Sequence, residues 1–282
     1  MGRKIAWVTD STASIDEELT NHPDVYWVPM VICINDEEYL DGVNLKAEDL
    51  YVLLKDSSNA ITTSQPSPGT FVELYKKLAD EYDEIVSIHL SSLLSGTYTS
   101  AVQAAAEVDI PVTVVDSLTL TEPLTRLVKA AMKMHEAGIE INQIASKLEK
   151  IRENHRTYVL IGDLTRLHKS GRMTGTQYYL GSLLNIQPII RVESGKLTTA
   201  EKVRSEKKAF QYIVNLIKEG NQNHAIDEVA ILFSSKRDKS SKLYDVIKKE
   251  FPDIHLKLVP LCTTIGVHTG EDVVGVSWFI TD

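Results

Sequence analysis

Short apolar runs alternate with helix-length amphipathic stretches through the first half of the chain, the pattern of strands joined by crossover helices. Lys4–Val8, Val25–Ile32, Glu84–Leu90 and Val112–Val115 read as strands. Ala47–Leu54, the stretch opened by Ser67-Pro68-Gly69, the alanine-rich Thr97–Val108, Leu124–Glu136 and Ile141–Arg152 read as helices. Ser67 carries the hydroxyl of an N-cap, and Pro68 the fixed φ suited to a first helical turn. Strands separated by helices pair in parallel with right-handed crossovers. An α/β lobe on a parallel sheet is therefore predicted.

The second half changes character. Gln187–Val192 and Lys196–Val203 flank Glu193-Ser194-Gly195, which predicts a β-hairpin whose turn is supplied by glycine. A helix from about Glu206 to Lys218 follows. Glu228–Phe233 then reads as a strand, Lys239–Glu250 as a helix, and Ile254–Val259 and Val273–Ile280 as strands. This order fits an α+β lobe. The boundary is expected near Asn154–Thr157, giving domains 1–155 and 156–282, with Ser57–Pro68 a second place where the chain can cross between lobes.

Composition narrows the function classes. The 282 residues are 43% apolar and 24% charged, which excludes disordered, collagenous and coiled-coil chains. No run approaches the roughly 18 to 20 apolar residues that cross a bilayer, so no integral membrane segment is predicted. The apolar run before Asp10 is too short for a signal peptide and reads as a buried strand, which points to the cytoplasm. Acidic residues outnumber basic ones, 39 to 30, for a net charge of −9, and that surface repels nucleic acid. Cys33 and Cys262 read as small buried thiols in a reducing compartment.

Candidate chemistry gathers where the first strands end. Ile5–Val8 runs into Thr9-Asp10-Ser11-Thr12, Ile85–Leu90 into Ser91-Ser92-Leu93-Leu94-Ser95-Gly96-Thr97, and Val112–Val115 into Asp116-Ser117. Ligands of open parallel sheets bind outside the carboxyl ends of the strands. The same residues also serve as ordinary helix caps. Ser95-Gly96-Thr97 stands at a helix start, where free N–H groups suit a carboxylate or phosphate. No P-loop lysine and no GxGxxG accompanies it, so a nucleotide cofactor is not expected. Eight scattered histidines, with no H-x-x-x-H pair and no Cys/His cluster, predict no metal site.

Eight segments then occur in the order expected of the DegV family of bacterial fatty-acid-binding proteins, and the chain resembles that family over almost its whole length. They are Val8-Thr9-Asp10-Ser11-Thr12, Thr63-Ser64-Gln65-Pro66-Ser67-Pro68, Leu94-Ser95-Gly96-Thr97-Tyr98, Val115-Asp116-Ser117, Gly171-Arg172, Leu183-Leu184-Asn185-Ile186-Gln187-Pro188-Ile189-Ile190, Lys202-Val203-Arg204 and Gly266-Val267-His268-Thr269-Gly270. The resemblance implies a two-domain fold holding one long-chain fatty acid, with the carboxylate between the lobes and the tail in an apolar tunnel. It implies that Thr63, Ser95, Arg172 and His268 bind the carboxylate. Asp10, Ser11, Ser64, Gly96, Thr97 and Asp116 would form the supporting polar site, and Arg204 would dock a separate ATP-dependent fatty acid kinase. The chain itself would be the lipid-carrying component, with no catalytic residue and no cofactor. Three departures are visible: Ser170 replaces the first glycine of the G-G-R turn, Asp163 stands where glutamate is common, and Leu118-Thr119-Leu120-Thr121-Glu122-Pro123 lacks the usual glycine.

Physical chemistry agrees with such a ligand. About 15 buried methylenes at about 0.8 kcal/mol each give roughly 12 kcal/mol before association costs. The head group adds little net affinity because its desolvation must be offset, so neutral hydroxyls would orient it instead. Ile61, Phe71, Leu94, Leu120, Leu124, Leu180, Leu183, Leu184, Ile186 and Ile265 are candidates for the tunnel lining and equally for plain core. The alternative is a serine hydrolase or acyltransferase using Ser95 and His268, although the G-x-S-x-G elbow is missing. A binder of phosphate-bearing small molecules at the helix start by Thr97 is a third reading.

Overall fold

The computed structural model describes residues 3–14, 16–56, 58–173, 186–235 and 237–280. The chain divides into two compact units, residues 1–46 with 60–153 and residues 47–59 with 154–282.

The first unit is built on a parallel sheet of order β2-β1-β6-β7, comprising β1 (Ile5–Asp10), β2 (Val25–Val28), β6 (Glu84–His89) and β7 (Val112–Asp116). Every residue of β1 and β6 is buried, as expected of strands covered on both faces. Ala6, Val8 and Ile85 pack against Phe71, Tyr75 and Leu78 of α3 (Pro68–Ala79) and Ala101 and Ala104 of α4 (Thr97–Ala105). On β1, Trp7 alternates with Ala6 and Val8 and meets His135 of α5 (Glu122–Glu136) edge to face at 5.9 Å. The short α1 (Glu17–Thr20) and α6 (Ile141–Ile151) complete the helices of this unit. Ser67 does cap α3, its hydroxyl accepting the Thr70 N–H at 3.1 Å, with Pro68 in the first turn.

One predicted strand splits. Val25–Ile32 becomes β2 and a separate β3 (Val31–Ile34), which lies between β4 (Glu37–Leu40) and β5 (Ile61–Ser64) in a small antiparallel sheet. Pro29 offers no N–H to a ladder. The Met30 N–H donates to Ser11 Oγ at 3.0 Å instead of to a neighbouring strand.

The second unit carries a six-stranded sheet of order β10-β9-β8-β13-β11-β12. Its strands are β8 (His155–Ile161), β9 (Gln187–Glu193), β10 (Lys196–Val203), β11 (Glu228–Phe233), β12 (His255–Pro260) and β13 (Val273–Phe279). Only the β11–β12 pair is parallel. The predicted hairpin is present, and Ser194 (φ 45°) as well as Gly195 (φ 79°) takes the left-handed conformation at its turn. Strand β8 was not among the predicted strands, because its His155-Arg156-Thr157 opening hides an otherwise apolar run. Its polar positions are satisfied in the core, where His155 Nδ1 and Ser277 Oγ lie 3.2 and 2.9 Å from Thr157 Oγ1. Ile213 and Ile217 of α8 (Glu206–Asn223) and Leu243 and Ile247 of α9 (Arg237–Glu250) bury the sheet face around Ile231, Val274 and Trp278. Among the described residues the remaining helices are α2 (Ala47–Leu53), α7 (Thr165–Lys169) and α10 (Thr263–Thr269).

Candidate functional site

Strands β1 and β6 are neighbours whose next strands, β2 and β7, lie on opposite sides. Their carboxyl ends therefore flank a topological switch point. Asp10, the last residue of β1, is fully buried there. Its Oδ1 accepts from Thr12 N at 3.0 Å and Thr12 Oγ1 at 2.5 Å. Its Oδ2 accepts from Leu90 N and lies by His89 Nδ1, both at 3.0 Å. Ser11 is spent as well, donating to Asp41 at 2.9 Å while accepting from Met30 N.

Ser95 is half-buried, and its Oγ lies 2.9 Å from Thr97 Oγ1 and accepts from Thr97 N at 3.4 Å. Thr97 is fully buried, as the first residue of α4. A Cβ added at Gly96 would lie 3.0 Å from Gln65 Cδ, so the Thr63-Ser64-Gln65-Pro66 segment and the α4 start pack directly on each other. Thr63 is half-buried on β5 and Ser64 is exposed. Asp116 closes the other side, its Oδ1 accepting from Ser92 N at 3.2 Å and Leu118 N at 3.0 Å.

The loop after β7 is strained. Leu118 (φ 50°) and Thr121 (φ 58°) hold positive-φ backbone without glycine. The loop crosses the switch point, with Ser91 N donating to Thr119 O at 2.8 Å and Thr121 N to Thr12 O at 3.0 Å. The buried hydroxyls of Thr9, Thr119 and Thr121 have no partner among the described residues.

In the second unit, Arg172 and His268 come within electrostatic reach of each other. Burial, reinforced by the positive charge of Arg172, holds His268 down at about 4. The imidazole is thus neutral at neutral pH, and Arg172 is the cation of the pair. Arg172 Nη1 also donates to Ser170 O at 2.6 Å. A polar cleft of ≈ 340 Å³ in the same unit is lined by Gly162, Asp163, Arg166, Gln187 and residues 269–272 at the end of the His268-Thr269-Gly270 motif. Arg204 is exposed just after β10. Cys33 and Cys262 are half-buried, less enclosed than predicted. Among the described residues no group of side chains is arranged to hold a metal ion, and no helix is long and apolar enough to cross a membrane.

Of the tunnel candidates, Phe71 and Leu124 are fully buried and Ile265 nearly so, while Ile61, Leu94, Leu120 and Ile186 are half-buried. Phe71 packs edge-on to His89 at 5.1 Å in the core of the first unit. Leu180, Leu183 and Leu184 lie outside the described residues. Sequence reasoning passed over His89. The available signal was the Ser87-Ile88-His89 spacing, which puts both polar side chains on one face of an otherwise apolar strand.

A family model for the uncharacterised proteins called DegV matches residues 4–281. The chain belongs to the DegV family. A DegV domain-containing protein of Halalkalibacterium halodurans is 36% identical over 279 residues, covering 98% of this chain and 99% of its own. The fatty acid binding DegV family protein of Streptococcus agalactiae superimposes with a TM-score of 0.91 at 28% identity, covering all of both chains. DegV of Bacillus subtilis, described as a fatty acid binding protein, gives 0.88 at 29% identity over 99% of this chain and all of its own. The mixed α/β architecture is thus a DegV fold, as the ordered motifs implied.

Proposed function

We propose that this protein binds one long-chain fatty acid and presents its carboxylate, in the cytoplasm, to a separate ATP-dependent kinase that forms the acyl phosphate. The observation that carries the lipid assignment is the full-length likeness to DegV proteins described as fatty-acid-binding. Thr63 and Ser95 of the first unit, with Arg172 and His268 of the second, are the proposed carboxylate partners, and Arg204 the proposed contact for the kinase. Supporting this, Ser95 sits at a helix start whose hydroxyls and N–H groups can orient an anion. Arg172 supplies one cation beside a neutral, buried imidazole. Asp10, Ser11 and Thr97 are the proposed supporting residues of the first unit, where their polar atoms are already bonded. The tail would supply most of the affinity and the hydroxyls the orientation.

The hydrolase alternative has no supporting observation: the G-x-S-x-G elbow is missing, and the Ser95 hydroxyl pairs with Thr97. The direct test is lipid analysis of protein purified without added lipid. A near-stoichiometric long-chain acid is the expected result, and a phosphorylated polar ligand in its place overturns the reading. Specific labelling of Ser95 by an activity-based serine probe would revive the hydrolase.

A further inference from the structure

The first unit buries a chain of polar side chains of which the proposed function uses only Asp10. Tyr75 Oη donates to Ser87 Oγ at 2.7 Å, Ser87 Oγ lies 2.7 Å from His89 Nε2, and His89 Nδ1 lies 3.0 Å from Asp10 Oδ2. Tyr75, Ser87, His89 and Asp10 are all completely buried. With a neutral imidazole whose Nδ1–H faces the carboxylate, the chain runs from Tyr75 to Ser87, from Ser87 to Nε2, and from Nδ1–H to Asp10. Replacing buried ionic groups by apolar residues of similar volume is often neutral or stabilising, so stability alone does not account for such a chain.

That geometry is imposed on the loop of Ser95. Six successive backbone N–H groups, from Leu90 to Ser95, each have an acceptor within the unit. Leu90 donates to Asp10, Ser91 to Thr119 O, Ser92 to Asp116, Leu93 to Ser91 Oγ, and Leu94 and Ser95 to Ser91 O. The first of these bonds ends on the same Oδ2 that faces His89. We propose that Asp10, His89, Ser87 and Tyr75 form a positioning chain that fixes where the Ser95 loop leaves the sheet, and so where its hydroxyl meets the ligand carboxylate. This rests on the fatty-acid reading above.

The test uses full-length protein loaded with oleic acid labelled with ¹³C at the carboxyl carbon. The bound carboxyl resonance reports head-group hydrogen bonding, which a purely structural role for the chain would leave unchanged. Ser95→Ala sets the reference shift for a lost head-group bond. His89→Phe is expected to move the resonance in the same direction while oleate affinity, dominated by the tail, stays within about threefold. Exchange of the Ser91–Ser95 amides should quicken by about tenfold, the scale of one lost hydrogen bond to a charged group. His89→Asn, whose amide can stand where Nδ1 was, should restore both.

A folded, loaded His89→Phe with an unchanged carboxyl resonance overturns the inference. If that variant does not fold, Ser87→Ala and Tyr75→Phe shorten the chain from its far end. A graded shift, larger for Ser87→Ala, supports the inference, and wild-type resonances in both overturn it. Wild-type protein that loads no oleate overturns the functional reading itself, and a Ser95→Ala resonance at the wild-type position overturns the carboxylate assignment. These outcomes are distinguishable from a failure confined to His89.

Discussion

Thr121 bears the clearest local cost in the chain. Its φ of 58° and ψ of −139° lie in a region that essentially only glycine occupies, and its buried hydroxyl has no partner among the described residues. Such strain costs about 1 to 3 kcal/mol, and the added flexibility of an unfolded glycine returns up to about 1 kcal/mol of it. Thr121→Gly is therefore expected to stabilise the protein by about 1 kcal/mol, read as a higher urea midpoint at unchanged slope; a lower midpoint would count against strain at this position. His155 and His268 make a second residue-scale case. Burial holds both down at about 4, each with an arginine beside it, Arg156 and Arg172 respectively. The unfolded chain binds these protons first, so their contribution is whole above about pH 6.5 and is lost as pH falls toward 4. Stability should drop across that window by up to about 1.4 kcal/mol per histidine per pH unit. Replacing His155 by Asn should flatten the drop, as urea titrations at pH 7 and pH 4.5 would show. A carboxylate bound beside His268 opposes the depression, so lipid-loaded protein should titrate this ring at higher pH than lipid-free protein in NMR. An identical titration in both forms would remove His268 from the carboxylate set.

At the scale of elements, caps and close approaches were unequally legible. The Ser67 cap and the proline in the first turn of α3 could be read directly, because both act within one helical turn of sequence. Ser67→Ala is expected to cost about 1 kcal/mol in thermal unfolding. The pairing of β13 with β8 was not legible. A Cβ at Gly275 would stand 2.5 Å from Tyr158 O and 2.9 Å from Val159 Cα, both backbone atoms that cannot swing aside. Gly275→Ala should destabilise by about 3 kcal/mol or more, the upper range for overpacking, and lower the yield of folded protein. A melting midpoint equal to wild type would show that β8 and β13 can separate without loss. Periodicity marked Val273–Ile280 as a strand but could not name its partner, since β8 opens with polar residues and pairs across more than a hundred positions.

For the whole molecule, the decisive pattern is the order of motifs. The eight segments lie in sequence and carry the family, and the DegV neighbours agree over the full chain. The proposed partnership is tested at this scale: Arg204→Glu should reduce acyl-phosphate formation by the kinase about tenfold, as close charge pairs at interfaces do, with oleate loading unchanged. Full phosphorylation by the variant would sink that docking role. Segment 47–59 is flanked in sequence by the first unit yet clusters with the second, where Arg166 Nη2 donates to Leu54 O at 3.2 Å and Lys55 faces Glu271 at 3.6 Å.

By itself the sequence determined the strand–helix alternation, the hairpin, the α3 cap and the family. Each follows from neighbours within a few residues or from motifs kept in order along the chain. Tertiary structure decided which strand pairs with which, that Val25–Ile32 breaks across two sheets, and that Asp10 and Ser11 turn inward. It also decided that His89 joins a buried chain beneath the Ser95 loop. Those outcomes depend on which donors and acceptors meet after distant segments fold together, and a hydroxyl or imidazole carries no mark of its future partner until packing removes water from around it.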